Sequence, residues 1–283
     1  MVKIIMPRLP NFFMVGAPKA GTTSLYHYLD QHPEIFMSPI KEPNLFATEI
    51  RMENLSDELR GDAEEDRREL EEYLRGPMLE KRFGGMISEW ADYQKLFQNA
   101  KGEKAVGEAS VCYLWSKTAA ANIRERIPQA KIIMMLRDPC EIAFSLYLQS
   151  VAGGHIRGSF RETIEACRRN TSEKFSIVYP FLELGLLHEQ VERFLDAFPR
   201  ENVLILYYEE YRERPSEVFA QIFRFLSVDP AFAPDTSRRY HEFRQGANKT
   251  ADPGDRDYLI AYYGEDVMRL SGLLDRDLGA WVR

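Results

Sequence analysis

The chain has little cysteine, no excess of positive charge and no long hydrophobic run. Its three cysteines among 283 residues show no C-x-x-C spacing, so we predict neither a disulfide framework nor a zinc site and expect a reducing cytoplasm. A formal net charge of −7 argues against a general basic surface for nucleic acid. The N-terminal apolar run is too short for a signal peptide, and no window approaches the roughly 18 apolar residues of a membrane span.

What is present is the composition of an ordinary globular protein, with four short apolar runs that predict buried strands. The runs are continuous rather than alternating, and a helical pattern follows each of them, as in parallel sheets covered on both faces. They are Phe12–Gly16, Glu103–Gly107, Lys131–Leu136 and Asn202–Tyr208. The pattern predicts a single α/β domain over residues 1–283, with a P-loop-like three-layer fold and a central, mostly parallel sheet flanked by helices.

The helices are placed by their start and stop signals. The first is expected to begin near Thr22 and to end at the His32–Pro33 pair. Another should follow Pro139, which suits the first turn of a helix. Further helices are predicted over residues 181–198 and 216–226. The charged stretch from 48 to 101 interrupts this order, and we interpret it as a helical insertion, either a solvated excursion or a mobile flap over an active site.

The most informative stretch is FFMVGAPKAGTTSLYHYLDQHP, residues 12–33. Gly16 and Gly21 have P-loop spacing, and they allow a ligand to approach the backbone closely. Because the turn opens a helix after the first strand, its N–H groups and the helix dipole favour an anion. Lys19 adds a positive charge within the turn. Three hydroxyl donors follow in the first turn of the helix: Thr22, Thr23 and Ser24.

The loop departs from a magnesium-nucleotide loop in one respect. There, the lysine directly precedes the metal-binding Ser or Thr, and an Asp at the end of another strand assists. Here Lys19 lies before Gly21, and no predicted strand ends in an apolar run plus Asp. The loop therefore predicts a phosphate-type anion. A P-loop kinase or nucleotide hydrolase remains an alternative, as does a non-catalytic nucleotide-binding protein with the same fold.

Several segments in the same order resemble the sulfotransferases that use 3′-phosphoadenosine 5′-phosphosulfate (PAPS). GAPKAGTTSL resembles the family's 5′-phosphosulfate loop, and KIIMMLRDPCEIAFSLYLQ resembles its 3′-phosphate segment. LILYYEEYRERP, FRQGANKT and LLDRDLGAW resemble its later segments. SPIKEPNLFA brings the chain nearer to the bacterial and glycan-modifying members than to the small-phenol enzymes. The resemblance implies a PAPS-dependent sulfotransferase that releases adenosine 3′,5′-bisphosphate.

The resemblance also implies roles for individual residues. The 5′ end of the donor would be bound by Lys19, Gly21, Thr22, Thr23 and Ser24. Arg137 and Ser145 would bind the 3′-phosphate, where a bidentate arginine is well suited, although Arg137 could instead pair with Asp138 or Glu141. Tyr208 would line the adenine pocket. Arg244 and Gly246 would close over the nucleotide, but Gln245 replaces the family's lysine, a charge that Lys249 could supply.

For catalysis the resemblance implies in-line transfer without a metal. Lys19 would stabilise the charge that grows on the leaving phosphate, and Glu42 would act as the general base. The alternative base is a histidine, of which the chain has five: His27, His32, His155, His188 and His241. Three further residues are assigned to the substrate side: Lys41, Glu108 and Ser110.

The acceptor itself cannot be read from the sequence. It would offer a hydroxyl or an amine on a small molecule, a glycan, a lipid or a carrier, with no nucleic-acid partner. Variable loops usually build such pockets, here residues 48–101 and 151–176. The second loop holds four arginines that could recognise an anionic acceptor or form a solvated helix face: Arg157, Arg161, Arg168 and Arg169. The oligomeric state stays open.

Overall fold

A computed structural model describes residues 8–238, 240 and 252–283 of the chain. Its centre is a five-stranded, all-parallel sheet in the order β2-β5-β1-β6-β7. The strands are β1 (Phe12–Gly16), β2 (Ile35–Met37), β5 (Ala105–Ala109), β6 (Lys131–Leu136) and β7 (Val203–Tyr207). A separate two-stranded parallel ribbon joins β3 (Ile40–Lys41) to β4 (Arg82–Phe83). The predicted α/β fold with a central parallel sheet is confirmed.

The sheet is enclosed by helices. In chain order they are α1 (Thr22–Leu29), α2 (Asp57–Arg75), α3 (Trp90–Lys95), α4 (Cys112–Trp115), α5 (Ala119–Arg126), α6 (Pro139–Ala152), α7 (Phe160–Arg169), α8 (Leu187–Ala197), α9 (Tyr208–Glu213), α10 (Pro215–Leu226) and α11 (Pro253–Leu274). Short 3₁₀ turns cover Met52–Asn54, Glu183–Gly185, Arg200–Asn202 and Gly279–Val282. In the part of the chain that the structure describes, no helix is both long and apolar enough to cross a membrane.

The central strand β1 is buried along its whole length, which explains its continuous apolar sequence. Phe12 of this strand packs its ring against Gly107 of β5, where an added Cβ would lie 2.1 Å from the ring. Gly107 is therefore required for the two strands to pair with Phe12 between the layers. This close contact explains why β5 contains a glycine, a residue that weakens the strand pattern of its sequence.

The predicted strands β1 and β6 have the observed bounds, while two others differ. β7 covers Val203–Tyr207 and so lacks the predicted end residues Asn202 and Tyr208. β5 begins and ends two residues later than the predicted Glu103–Gly107, because burial begins at Ala105 after the exposed Lys104. The short edge strand β2 was not predicted. It pairs only with β5, and three residues are too few to show a periodicity.

The helical predictions hold for α6, for α10 and for the start of α1, which ends at Leu29 rather than at the His32–Pro33 pair. They fail in part for residues 181–198. There a 3₁₀ turn over Glu183–Gly185 precedes α8. Gly185 is the last residue of that turn, and the ring of Tyr263 from α11 lies against it, 2.8 Å from the place where a Cβ would stand. α6 begins as its sequence predicts, with Pro139 in the first turn and the Asp138 carboxylate accepting from the Cys140 N–H at 2.8 Å.

The charged insertion contains α2, β4 and α3. α2 is largely exposed and buries only Ala63 and Leu70, which agrees with its shortage of apolar residues. The start of the insertion is bound to the rest of the domain. Glu49 accepts hydrogen bonds from the Ser116 hydroxyl and the Lys117 N–H, both at 2.7 Å. Whether the insertion moves as a flap stays a prediction.

Candidate active site

A large cleft opens where the strands of the sheet end. All five strands are parallel, so their carboxyl ends share one edge, which is where open α/β sheets bind ligands. The cleft has a volume of about 760 Å³. Ten of the residues proposed from the sequence line it: Lys19, Gly21, Thr22, Thr23, Ser24, Lys41, Glu42, Arg137, Ser145 and Tyr208.

The floor of the cleft is the loop between β1 and α1. Gly21 adopts φ 78° and caps α1, so the first N–H groups of the helix face the loop. A Cβ on Gly21 would lie 3.1 Å from the ring of Tyr211 and 3.2 Å from that of Tyr208. Glycine thus permits both the left-handed turn and the close packing of two tyrosines. The result is a helix N-terminus suited to an anion.

Lys19 lies in this loop with φ 60°, a conformation that is uncommon for a residue other than glycine. Its Nζ donates to Oε1 of Gln149 on α6 at 2.9 Å. Burial, followed by the neighbouring charges of Arg137 and Lys41, lowers the pKa of Lys19 to about 8. Three cations, Lys19, Arg137 and Lys41, therefore lie near one another. An anionic ligand would relieve this repulsion.

Arg137 follows β6 and faces the same loop. Its guanidinium donates to the Lys19 carbonyl oxygen and lies 4.4 Å from the centre of the Tyr208 ring. It also pairs with Glu141 at 3.3 Å, which is one of the two salt bridges considered from the sequence. Asp138 pairs instead with Arg256 of α11 at 3.0 Å. Ser145 lies two turns along α6 and lines the cleft with Arg137.

Tyr208 is the first residue of α9, just after the end of β7, rather than an aromatic within the strand. It is partly buried and lines the cleft beside Tyr211, three residues on. Stacked against Arg137 and in contact distance of Gly21, it offers a flat aromatic surface next to the anion site. Such a surface can accept a nucleobase.

Lys41 and Glu42 lie across the cleft from the aromatic surface. The Lys41 Nζ donates to Oε1 of Glu42, and the Val111 N–H donates to Oε2 at 2.8 Å. The Glu42 N–H in turn donates to the Ala109 carbonyl at 2.8 Å, at the end of β5. Glu42 has φ 67°, so both proposed catalytic residues have left-handed backbone conformations that only surrounding contacts can maintain.

Glu108 and Ser110 do not line the cleft. Both are completely buried, and Glu108 accepts from the hydroxyls of Tyr93 at 3.2 Å and Ser110 at 3.0 Å. Burial raises the pKa of Glu108 to about 8 against these hydrogen bonds. Ser110 also accepts from the Asn44 N–H at 3.2 Å. The pair lies behind the segment that carries Glu42, and Ser110 contacts that segment through the Asn44 N–H.

Among the histidines, His27 stacks on Tyr240 with ring centres 4.0 Å apart, and His32 packs between Phe223 and Phe232. His188 is buried on α8. Neither these nor His155 lines the cleft. His241 lies outside the described residues, as do Arg244, Gly246 and Lys249 of the predicted closing loop. No cluster of metal-binding side chains occurs among the residues that are described.

The sequence reasoning missed several residues that line the cleft. Gln149 lies four residues after Ser145, so helical spacing could have placed it on the same face of α6. Tyr211 has the corresponding spacing from Tyr208. The aromatic residues Phe83, Trp115 and Phe175 had no such signal, because each comes from a segment whose position only the folded chain defines.

Comparison with known proteins agrees with this geometry. The model of the sulfotransferase family matches residues 10–233, and the chain therefore belongs to the sulfotransferase family. The crystal structure of a sulfotransferase from Alicyclobacillus acidocaldarius is similar over 98% of this chain and 100% of that chain, with 33% identity and a TM-score of 0.80. The sulfotransferase domain from the curacin biosynthetic pathway shares the fold, at 17% identity and a TM-score of 0.51.

The curated relatives include sulfotransferases that are named for carbohydrate and heparan sulfate. Carbohydrate sulfotransferase 15 of Mus musculus is 27% identical over 96% of this chain and 54% of its own length. The bifunctional heparan sulfate N-deacetylase/N-sulfotransferase 3 of Homo sapiens is 27% identical over 98% of this chain and 31% of its own. The chain thus spans about half, or less, of these relatives. The sequence prediction of a sulfotransferase enzyme is confirmed at the level of the family.

Proposed function

We propose that this protein transfers a sulfuryl group from PAPS to the hydroxyl or amine of an acceptor. The observation that carries the proposal is the convergence on one cleft of an anion-binding loop, three cations, an aromatic surface and a held carboxylate. PAPS fits this cleft in its chemistry. It bears anionic groups at both ends of a ribose, and the cleft offers separate cations in the β1–α1 loop and at the end of β6.

The β1–α1 loop is proposed to hold the 5′ end of the donor. The N–H groups at the start of α1, with Thr22, Thr23 and Ser24, donate to phosphate oxygens. Arg137 and Ser145 hold the 3′-phosphate, and Tyr208 packs against the adenine. Bound here, PAPS supplies a sulfuryl group whose leaving partner is a phosphate.

Lys19 is proposed to supply positive charge where the leaving phosphate oxygen becomes negative. Because its ammonium is already positioned by Gln149, it needs little rearrangement during transfer. Arg137 holds the carbonyl of Lys19, and so fixes the loop from which the ammonium extends. This arrangement stabilises charge by position, with no proton transfer required of Lys19.

Glu42 is proposed to take the proton from the acceptor group. Hydrogen bonds from Lys41 and the Val111 N–H hold its carboxylate in place. Each carboxylate oxygen accepts one of these bonds and keeps further lone-pair capacity for the acceptor proton. Its side chain is 12% exposed, enough to meet a molecule in the cleft. None of the four described histidines lines the cleft, which supports Glu42 rather than a histidine as the base.

The test is calorimetry followed by a transfer assay. Adenosine 3′,5′-bisphosphate should bind tightly without metal, and magnesium ATP should bind more weakly. Labelled PAPS with a mixed acceptor panel should give sulfated product. Preferential binding of magnesium ATP, with γ-phosphate transfer, would instead favour the kinase alternative. Bisphosphate binding with no transfer to any acceptor would favour a non-catalytic nucleotide-binding protein.

A further inference from the structure

Six apolar side chains line the cleft together with Glu42. Trp115 lies at the end of the single turn of α4, about one helical turn from Val111, whose N–H binds Glu42. The ring of Phe175 lies 6.3 Å from that of Trp115. The remaining apolar members of this wall are Phe83, Leu148, Pro180 and Leu184. We call these six residues the acceptor wall.

Each of the two variable loops contributes one residue to the acceptor wall. Phe83 comes from β4 of the charged insertion, and its ring lies 4.7 Å from the Lys41 Nζ. Phe175 comes from the loop after α7. Its backbone N–H donates to the Asn54 carbonyl at 2.8 Å, and its carbonyl accepts from the Ser56 N–H at 2.9 Å. The two loops are thus joined to each other beside the acceptor position.

Little positive charge is available in this region. Lys41 is the cation beside the acceptor wall, and its charge is matched by Glu42 in direct contact. Arg212, the other arginine besides Arg137 among the described lining residues, lies on α9 with the tyrosines at the opposite end. The acceptor end therefore contributes no net charge from its described side chains.

The arginines that could have recognised an anionic acceptor lie elsewhere. None of Arg157, Arg161, Arg168 and Arg169 lines the cleft. Arg161 pairs with Asp255 at 2.7 Å, Arg168 donates to the Tyr258 hydroxyl, and Arg169 pairs with Glu165 at 3.5 Å. These contacts join α7 to α11 or stabilise α7 itself.

We infer that the acceptor is an uncharged alcohol or phenol whose hydroxyl is attached to an aromatic or otherwise apolar body, rather than an anionic glycan. The inference rests on the proposed function, since it concerns the acceptor of that transfer. An apolar body packing on Trp115 and Phe175 is stabilised by burial. A carboxylate or sulfate there would lose its hydration, and the described side chains of the acceptor wall offer no cation in exchange. The acceptor hydroxyl then points toward Glu42.

The transfer is balanced within the molecules named. The acceptor oxygen forms a bond to sulfur while the bond between sulfur and the phosphate oxygen breaks, and that electron pair leaves with adenosine 3′,5′-bisphosphate. The hydroxyl proton passes to Glu42 and from there to solvent. The product is a sulfate monoester of the apolar alcohol.

The experiment compares two acceptors in the presence of PAPS, 2-naphthol and a uronate-containing tetrasaccharide, with bisphosphate binding measured in parallel. We expect kcat/KM for 2-naphthol to exceed that for the tetrasaccharide at least tenfold.

Trp115→Ala and Phe175→Ala should each lower kcat/KM for 2-naphthol roughly 10- to 100-fold, mainly through KM, with bisphosphate affinity unchanged. Leu184→Arg should reduce the preference for the neutral acceptor. Tyr258→Ala, an aromatic deletion outside the cleft, is the matched control and should change neither kcat/KM for 2-naphthol nor bisphosphate affinity.

The outcomes distinguish the inference about the acceptor from the proposed function. A higher kcat/KM for the tetrasaccharide, with bisphosphate bound normally, overturns the inference about the acceptor and leaves the sulfotransferase proposal standing. Equal kcat/KM values for 2-naphthol in the wild type and in both aromatic variants also overturn the inference about the acceptor. If the bisphosphate does not bind and neither acceptor is sulfated, the proposed function itself fails. Circular dichroism of each variant, compared with Tyr258→Ala, shows whether a loss of activity reflects loss of folding.

Discussion

The two ends of the cleft are built by different means. The nucleotide end consists of a loop, a helix start and charged or aromatic residues that directly follow β1, β6 and β7. The acceptor end consists of the 41–42 segment, the single turn of α4 and residues from two irregular loops. The binding groups of the nucleotide end are positioned by the ends of the strands, and every protein with this fold needs those strands. Those of the second depend on contacts between loops, which are free to vary.

The largest expected effect lies at the acceptor end. Glu42→Gln removes the proposed base while keeping the size of the side chain, so kcat should fall by about 10²–10⁴. Bisphosphate affinity should stay unchanged, because Glu42 contacts Lys41 and Val111 rather than the nucleotide end. Single-turnover transfer and calorimetry measure the two quantities. Glu189→Gln, an exposed change on α8, is the control. A variant that keeps its rate but loses nucleotide affinity would contradict the base assignment.

The next effect tests where the two ends meet. Lys19→Ala should lower sulfuryl transfer by about 10²–10³, since a positioned charge at the leaving group is lost. Alanine at φ 60° carries a backbone cost similar to that of lysine, so the comparison isolates the ammonium group. Lys95→Ala, at an exposed pair with Asp92, serves as control. Near-normal turnover by Lys19→Ala would remove this residue from the mechanism.

A smaller effect is confined to the nucleotide end. Arg137→Gln should weaken adenosine 3′,5′-bisphosphate binding about 10- to 100-fold, the expected loss for hydrogen bonds to a charged group. Arg137→Lys should recover only part of this, because an ammonium cannot form the bidentate contact. Calorimetry beside Arg169→Gln gives the comparison. Equal bisphosphate affinity in wild type and Arg137→Gln would mean that the 3′-phosphate is held by other groups.

The smallest effect is a pH dependence. With its pKa lowered to about 8, Lys19 is cationic below that pH and increasingly neutral above it. Bisphosphate affinity should therefore fall as pH rises through 8, at most about tenfold per pH unit. Binding at pH 8.5 should take up protons, seen as a dependence of the calorimetric heat on the buffer's ionisation enthalpy. Lys19→Arg should abolish this uptake, and uptake that persists in that variant would implicate another group.

The sequence determined much of the nucleotide end and little of the acceptor end. Strands β1 and β6, the start of α1 and the start of α6 were predictable because apolar runs, Pro139 and hydroxyl residues act within a few positions of themselves. The loop residues from Lys19 to Ser24 follow from the same local pattern, so their chemistry could be named in advance. The family resemblance then added roles that the local pattern alone leaves open.

Tertiary structure decided the rest, because it joins residues that the sequence keeps far apart. Glu42 is held by the Val111 N–H, 69 positions away, and Lys19 by Gln149, 130 positions away. No local periodicity encodes such pairs, since they depend on the order of strands in the sheet. The left-handed φ of Lys19 and Glu42, the pKa of Lys19 and the acceptor wall are all products of that packing. The amino-acid sequence by itself thus specified an anion site, whereas only the folded chain decided which side chains line the cleft around that site.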